Sequence, residues 1–126
     1  MIREDLKNLS TSRERQAIYF AARTSVKRRL AKAETEEMKE NLKEQYKILA
    51  DYFYEVAKTE KRVLKKLDSL PEPERAMALA RWHLGYSIGK IAKILGYSRE
   101  TVAHRLVEIT KTLEQVEVLE GFNEST

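Results

Sequence analysis

The sequence predicts an all-α fold: long N-terminal helices, as a hairpin or a coiled coil, then a C-terminal helix-turn-helix whose last helix is extended. Three observations carry this. Helix breakers are confined to one end of the 126 residues, because Pro71 and Pro73 are the only prolines and Gly85, Gly89, Gly96 and Gly121 all follow them; residues 1–70 are free of both, which favours long helices. Apolar residues alternate at spacings of four and three through Leu42, Tyr46, Leu49, Phe53, Val56, Val63, Leu67 and Leu70, and again through Val102, Leu106, Ile109, Leu113 and Val116. That is the spacing of a helical seam. Between these runs, Tyr86 to Leu106 reads as two amphipathic helices about a turn.

Composition narrows the classes of activity. With 42% hydrophobic and 35% charged residues the chain builds a modest core under a highly charged surface, and a net charge of +4 favours a polyanionic partner without requiring one. There is no cysteine, which excludes disulfides, zinc ribbons and thiol catalysis. His83 and His104 have no neighbours at metal-ligand spacing, so neither a metal nor another cofactor is expected. No apolar run reaches the roughly 20 residues that span a bilayer, and Met1 to Asp5 lacks a signal-peptide core; a cytoplasmic protein without membrane contact is the expectation.

Taken in order, a short lead carries Ile2, Leu6 and Leu9, and Ser10-Thr11-Ser12 offers a helix start. Thr11 and Glu14 have the spacing of a capping box. The helix that follows places Ile18, Ala22, Val26, Leu30 and Ala33 near one face. Arg13, Arg15, Arg23, Lys27, Arg28, Arg29 and Lys32 make the other face basic, either as a solvated surface or as a phosphate-binding one. Glu34 to Glu37 interrupts the apolar pattern and reads as a turn or as a polar segment of one longer helix. In the seam beyond it, Glu60 is the one charged residue; it fixes register or marks where the seam changes partner. Tyr52 and Tyr54 flank and widen the seam.

Pro71 forces Leu70 out of helical geometry, while Pro73 suits the first turn of a new helix. The predicted boundary therefore divides a helical, oligomerising region (1–70) from a DNA-binding region (71–126). Ala76, Met77, Ala80, Trp82 and Leu84 build a short helix ending near Gly85. Ile88, Ile91 and Leu95 line the next helix, with Ala92 small enough for close approach of its neighbour. Gly96 permits the positive φ of an abrupt helix end, and Ser98 stands where an N-cap belongs. The last helix runs on to Gly121, a plausible C-terminal cap. Beyond Leu113 its charges are acidic, with Glu114, Glu117, Glu120 and Glu124, so that end is expected to face away from DNA.

If Val102, Leu106 and Ile109 are buried, a turn of about 100° per residue sends Glu100, Ala103, His104 and Val107 to the opposite face, flanked by Arg99 and Arg105. In a major-groove docking, Arg99 suits guanine O6 and N7, Glu100 suits cytosine N4, Ala103 and Val107 suit a thymine methyl, and His104 suits a base acceptor or a phosphate. Ser87, Lys90, Lys93, Ser98, Thr101 and Arg105 are the expected phosphate contacts, which set register rather than sequence. Trp82 and Tyr97 read as core or rim packing. No nucleophile, paired carboxylate or Gly-rich phosphate loop is visible, so no catalytic residue and no enzyme are expected.

The runs Leu70 to Arg75, Ala80 to Ser87 and Ile91 to Leu106 together resemble region four of bacterial sigma factors, and especially the small phage-encoded regulators of the RinA and ArpU type. The likeness covers about the last 50 residues well and the first 70 in general character only. It implies contact with promoter DNA near a −35-like element, alongside RNA polymerase, in a protein of phage or mobile-element origin. The leading expectation is a transcriptional regulator that binds double-stranded DNA as a homodimer. Two others stand beside it: a small-terminase-like assembly protein that forms rings, and an RNA-polymerase-binding mimic of region four that does not read DNA.

Overall fold

The structure, a computed structural model, describes residues 2–125, with side chains for residues 2–120. It is all-α: α1 (Ile2–Leu9), α2 (Ser12–Ala31), α3 (Glu36–Asp68), α4 (Glu74–Ala78) passing directly into a π-helical turn (Leu79–His83), α5 (Ile88–Leu95) and α6 (Arg99–Ser125). Among the described residues there is no strand. Two compact units are formed, one from residues 11–60 and one from residues 1–10 with 61–126. The composition boundary at 70/71 thus falls inside the second of these.

The unit of residues 11–60 is a helical hairpin of α2 against the first three quarters of α3. Its turn needs neither Gly nor Pro. Lys32 and Ala33 donate their N–H groups back to the carbonyls of Arg29 and Leu30 (3.1 and 3.3 Å), and Thr35 caps α3 by accepting from Met38 N at 3.2 Å. At the other end the expected Thr11–Glu14 capping box is not formed. Thr11 occupies the N-cap with φ −102° and ψ 0°, away from the extended geometry a capping hydroxyl needs, and its side chain makes no cap bond.

The inward seam of α2 is Ser12, Gln16, Tyr19, Arg23, Val26 and Leu30, all buried or half-buried, the same four-three alternation as α3. Ile18, expected in the stripe, is instead 58% exposed, because the seam includes polar residues that an apolar pattern skips. Arg23 is the sharpest correction to the expected basic face. Its guanidinium sits 4.9 Å from the Phe20 ring, 5.0 Å from Phe53 and 6.0 Å from Tyr46, inside the hairpin as a cation among aromatic faces. Tyr19 stacks on Tyr52 at 5.7 Å, and Phe20 meets Phe53 at 6.0 Å. Glu60, the charged seam residue, accepts from the buried Ser12 hydroxyl and from Gln16 Nε2 at 3.1 Å. Above Glu60 the seam residues face α2; after it, Val63, Leu67 and Leu70 belong to the core of the other unit, so the seam does change partner there.

In the unit of residues 1–10 and 61–126, Ile2, Leu6 and Leu9 of α1 are each under 5% exposed and join Val63, Leu67, Met77, Ala78, Ile91, Ala92, Val102, Leu106, Ile109 and Leu113 in one core. The short lead of the sequence is therefore a core helix. The carboxylates that end α6 hold this arrangement: Glu114 pairs with Arg3, Glu117 accepts from Ile2 N at 2.9 Å, and Glu120 pairs with Lys66 at 3.0 Å. Two expectations are corrected here. The π turn, in which Leu84 N reaches back to Leu79 O and Tyr86 N to Ala80 O, inserts one residue into the helical register; Leu84 is rotated outward and is 57% exposed, while Trp82 packs on the core. Gly121 does not cap α6, which continues to Ser125.

Candidate nucleic-acid interface

Local chemistry fixes the junction of α5 and α6. Ser87 caps α5 by accepting from Lys90 N at 3.1 Å. The helix ends at Gly96, whose φ of 77° is left-handed, a conformation a β-carbon disfavours. Gly96 N and Tyr97 N both donate to Ala92 O, at 2.9 and 3.0 Å, and Ala92 itself is buried at the close approach of the helices. Ser98 then opens α6: its hydroxyl oxygen accepts from Thr101 N at 3.1 Å and its hydrogen is directed to Thr101 Oγ1 at 2.8 Å. Ile91, Val102 and Leu106 close the junction from within.

With that stripe buried, the first turns of α6 expose Arg99, Glu100, His104 and Val107, the last of them at 51%. Ala103 lies between them but is half-buried. The five expected base readers therefore share one face, Ala103 with the least reach.

The expected phosphate contacts separate into three groups. Lys90 and Lys93 are exposed on α5, with the Lys90 ammonium 3.7 Å above the Tyr86 ring. Ser87 and Thr101 use their oxygens as acceptors and each keeps a hydroxyl hydrogen to donate. Ser98 and Arg105 are engaged within the protein: the Ser98 hydrogen serves Thr101, and Arg105 Nη1 lies 3.3 Å from Glu74 Oε1 with its guanidinium 4.9 Å from the Tyr97 ring. Arg105 ties α6 to α4 and is directed away from the open face.

Gly89 is a position in the candidate interface that the sequence did not single out. A β-carbon built there would stand 3.0 Å from Arg99 Nη2 and 3.2 Å from Arg99 Cζ, so the Arg99 guanidinium lies across the bare backbone of the first turn of α5. The signal in the sequence was a glycine inside an otherwise good helix, which is tolerated only for some packing reason.

Among the described residues no group of three His, Asp or Glu side chains is placed to hold a metal ion, and no helix is long and apolar enough to cross a membrane. Comparison of the chain with family models, with curated proteins and with solved structures finds no match.

Proposed function

We propose that this protein is a non-catalytic, sequence-specific regulator of transcription that binds double-stranded DNA, with α5 and α6 acting as a helix-turn-helix and the start of α6 entering the major groove. The observation that carries this is the open face of α6: Glu100, His104 and Val107 are exposed directly after a capped helix start while Val102, Leu106 and Ile109 anchor the same turns in the core. A helix so mounted presents its early residues to base edges. Glu100 then accepts from cytosine N4, Val107 and the less accessible Ala103 meet a thymine methyl, and His104 reaches an acceptor.

The cations beside this face serve the phosphates: Lys90 and Lys93 on α5, and Arg99 laid across Gly89. This moves Arg99 from base reading to register setting, since the first helix of such a unit crosses the DNA backbone. Ser87 and Thr101 supply neutral donors. The likeness to sigma region four and to RinA- and ArpU-type phage regulators supports promoter DNA as the target and RNA polymerase as a neighbour. Homodimeric binding accords with the exposed Val118 and Leu119 near the end of α6, and it predicts half-sites about 34–36 Å apart or multiples of that.

Selection of bound duplex from a random pool tests the reading. A recovered motif of two half-sites at one or more helical turns supports it; a pool that stays random sinks it and leaves a polymerase-binding mimic. Mass in solution separates the dimeric regulator from a ring-forming packaging protein.

A further inference from the structure

One edge of the hairpin combines free cations with exposed aromatic rings. On α2, Arg13, Phe20 and Lys27 are spaced by seven residues, so they lie within about 40° of one another around the helix. On α3, Lys47 and Tyr54 repeat that spacing, and Lys58 follows one turn later. The contacts put both rows on the same edge: Phe20 meets Phe53 at 6.0 Å, Phe53 meets Tyr54 edge-on at 5.5 Å, and the Arg23 guanidinium lies against Phe20 and Phe53. Phe20 is 50% exposed and Tyr54 62% exposed. Arg13, Lys27, Lys47 and Lys58 are exposed, and none is in an ion pair among the described residues. Of the carboxylates on this side of α3, Glu40 is matched by Lys43 at 3.6 Å, while Asp51, exposed between Lys47 and Tyr54, lowers the positive charge at the centre of the edge and leaves the cations concentrated at its two ends.

We infer that this edge binds a single strand of nucleic acid, with bases stacking on Phe20 and Tyr54 and phosphates held by Arg13 and Lys58 at one end and Lys27 and Lys47 at the other. Charge alone would serve a duplex equally well. The rings decide: a duplex offers no free base faces, whereas an unpaired strand does, and an aromatic platform within a basic track is what such a strand requires. From Arg13 to Lys27 the edge runs about 21 Å, enough for a few nucleotides. The surface is independent of α5 and α6 and does not rest on the reading of duplex DNA proposed above.

The test is fluorescence anisotropy with the full chain, titrated with labelled oligo(dT) of about 20 nucleotides and with a mixed-sequence duplex of the same length. Oligo(dT) is expected to bind more tightly than that duplex. Phe20→Ala and Tyr54→Ala are each expected to weaken oligo(dT) by at least about fivefold, with Tyr54→Phe near the parent and Arg99→Ala without effect. Helicity and melting controls accompany each variant. Lys27→Gln and Lys47→Gln, at exposed positions, give a second measurement that does not depend on the aromatic packing: each is expected to lower the salt slope for oligo(dT) by about 0.7. Equal or tighter binding of the duplex, or indifference of oligo(dT) to both ring substitutions in folded protein, overturns the inference. So does a Phe20→Ala/Tyr54→Ala double variant that falls from dimer to monomer while binding oligo(dT) unchanged, for the edge would then join two copies of the chain.

Discussion

Arg99 packs across Gly89, and each of the two predicts a different measurement. On the proposed docking Arg99→Ala removes a phosphate contact, so affinity should fall by a similar factor on cognate and altered sites, and the salt slope for duplex DNA should drop by about 1. Loss of discrimination at a single base pair would instead return Arg99 to base reading. Gly89→Ala pulls in two directions. Alanine is favoured over glycine within a helix by about 1 kcal/mol, and the group it meets is the far end of a flexible side chain, so thermal stability should rise. The guanidinium must give way by a few tenths of an ångström, so on the proposed docking duplex binding should weaken modestly even as the fold gains. A variant that is both less stable and unchanged in binding would refute this pairing. The sequence displayed the exposed face of α6 well, because burial of Val102, Leu106 and Ile109 fixes by rotation where Glu100 and His104 point. It did not display Arg99 on Gly89 or Arg105 on Glu74: both pairs join residues on different helices, and a rotation argument within one helix is blind to them.

At the scale of elements, the hairpin is the clearest case of a pattern half read. The seam of α3 was legible because it is apolar throughout except at Glu60. Its complement on α2 was not, since Ser12, Gln16 and Arg23 occupy three of its positions and only their partners across the hairpin explain them. Glu60→Ala should destabilise the protein by about 1–3 kcal/mol, the cost of leaving buried donors unmet, readable as a lower melting temperature. Indifference to this change would mean that the Ser12 and Gln16 bonds contribute nothing. The turn between α2 and α3 was undecidable from the sequence for a simple reason: it is made by backbone bonds from Lys32 and Ala33 and by the Thr35 cap, without Gly or Pro to announce it. The π turn had no sequence signal either, and one inserted residue was enough to turn Leu84 from the expected core to solvent.

For the molecule as a whole, α1 is the element whose weight the sequence least conveyed. Eight residues read as a lead, yet Ile2, Leu6 and Leu9 fill the core that carries α5 and α6. Leu6→Ala should cost about 2–5 kcal/mol, measured by denaturant unfolding, and duplex affinity should fall with the folded fraction although residue 6 is expected to touch no DNA. A normal melt for that variant would remove α1 from the core. The acidic end of α6 was expected to face away from DNA; what the structure shows is that Glu114, Glu117 and Glu120 hold Arg3, the Ile2 amide and Lys66.

That long last helix is also a mechanical part. From Arg99 to Ser125 it is a rod of about 40 Å, with its amino end at the proposed groove and Glu114, Glu117 and Glu120 further along toward the opposite end. A tilt of about 5° about one end displaces the other by about 3 Å over such a length, roughly the rise of one base pair. If α6 docks as proposed, the contacts of these three carboxylates with Arg3, the Ile2 amide and Lys66 would help set its pitch, and neutralising them one at a time would alter that pitch without changing any residue of the proposed DNA face.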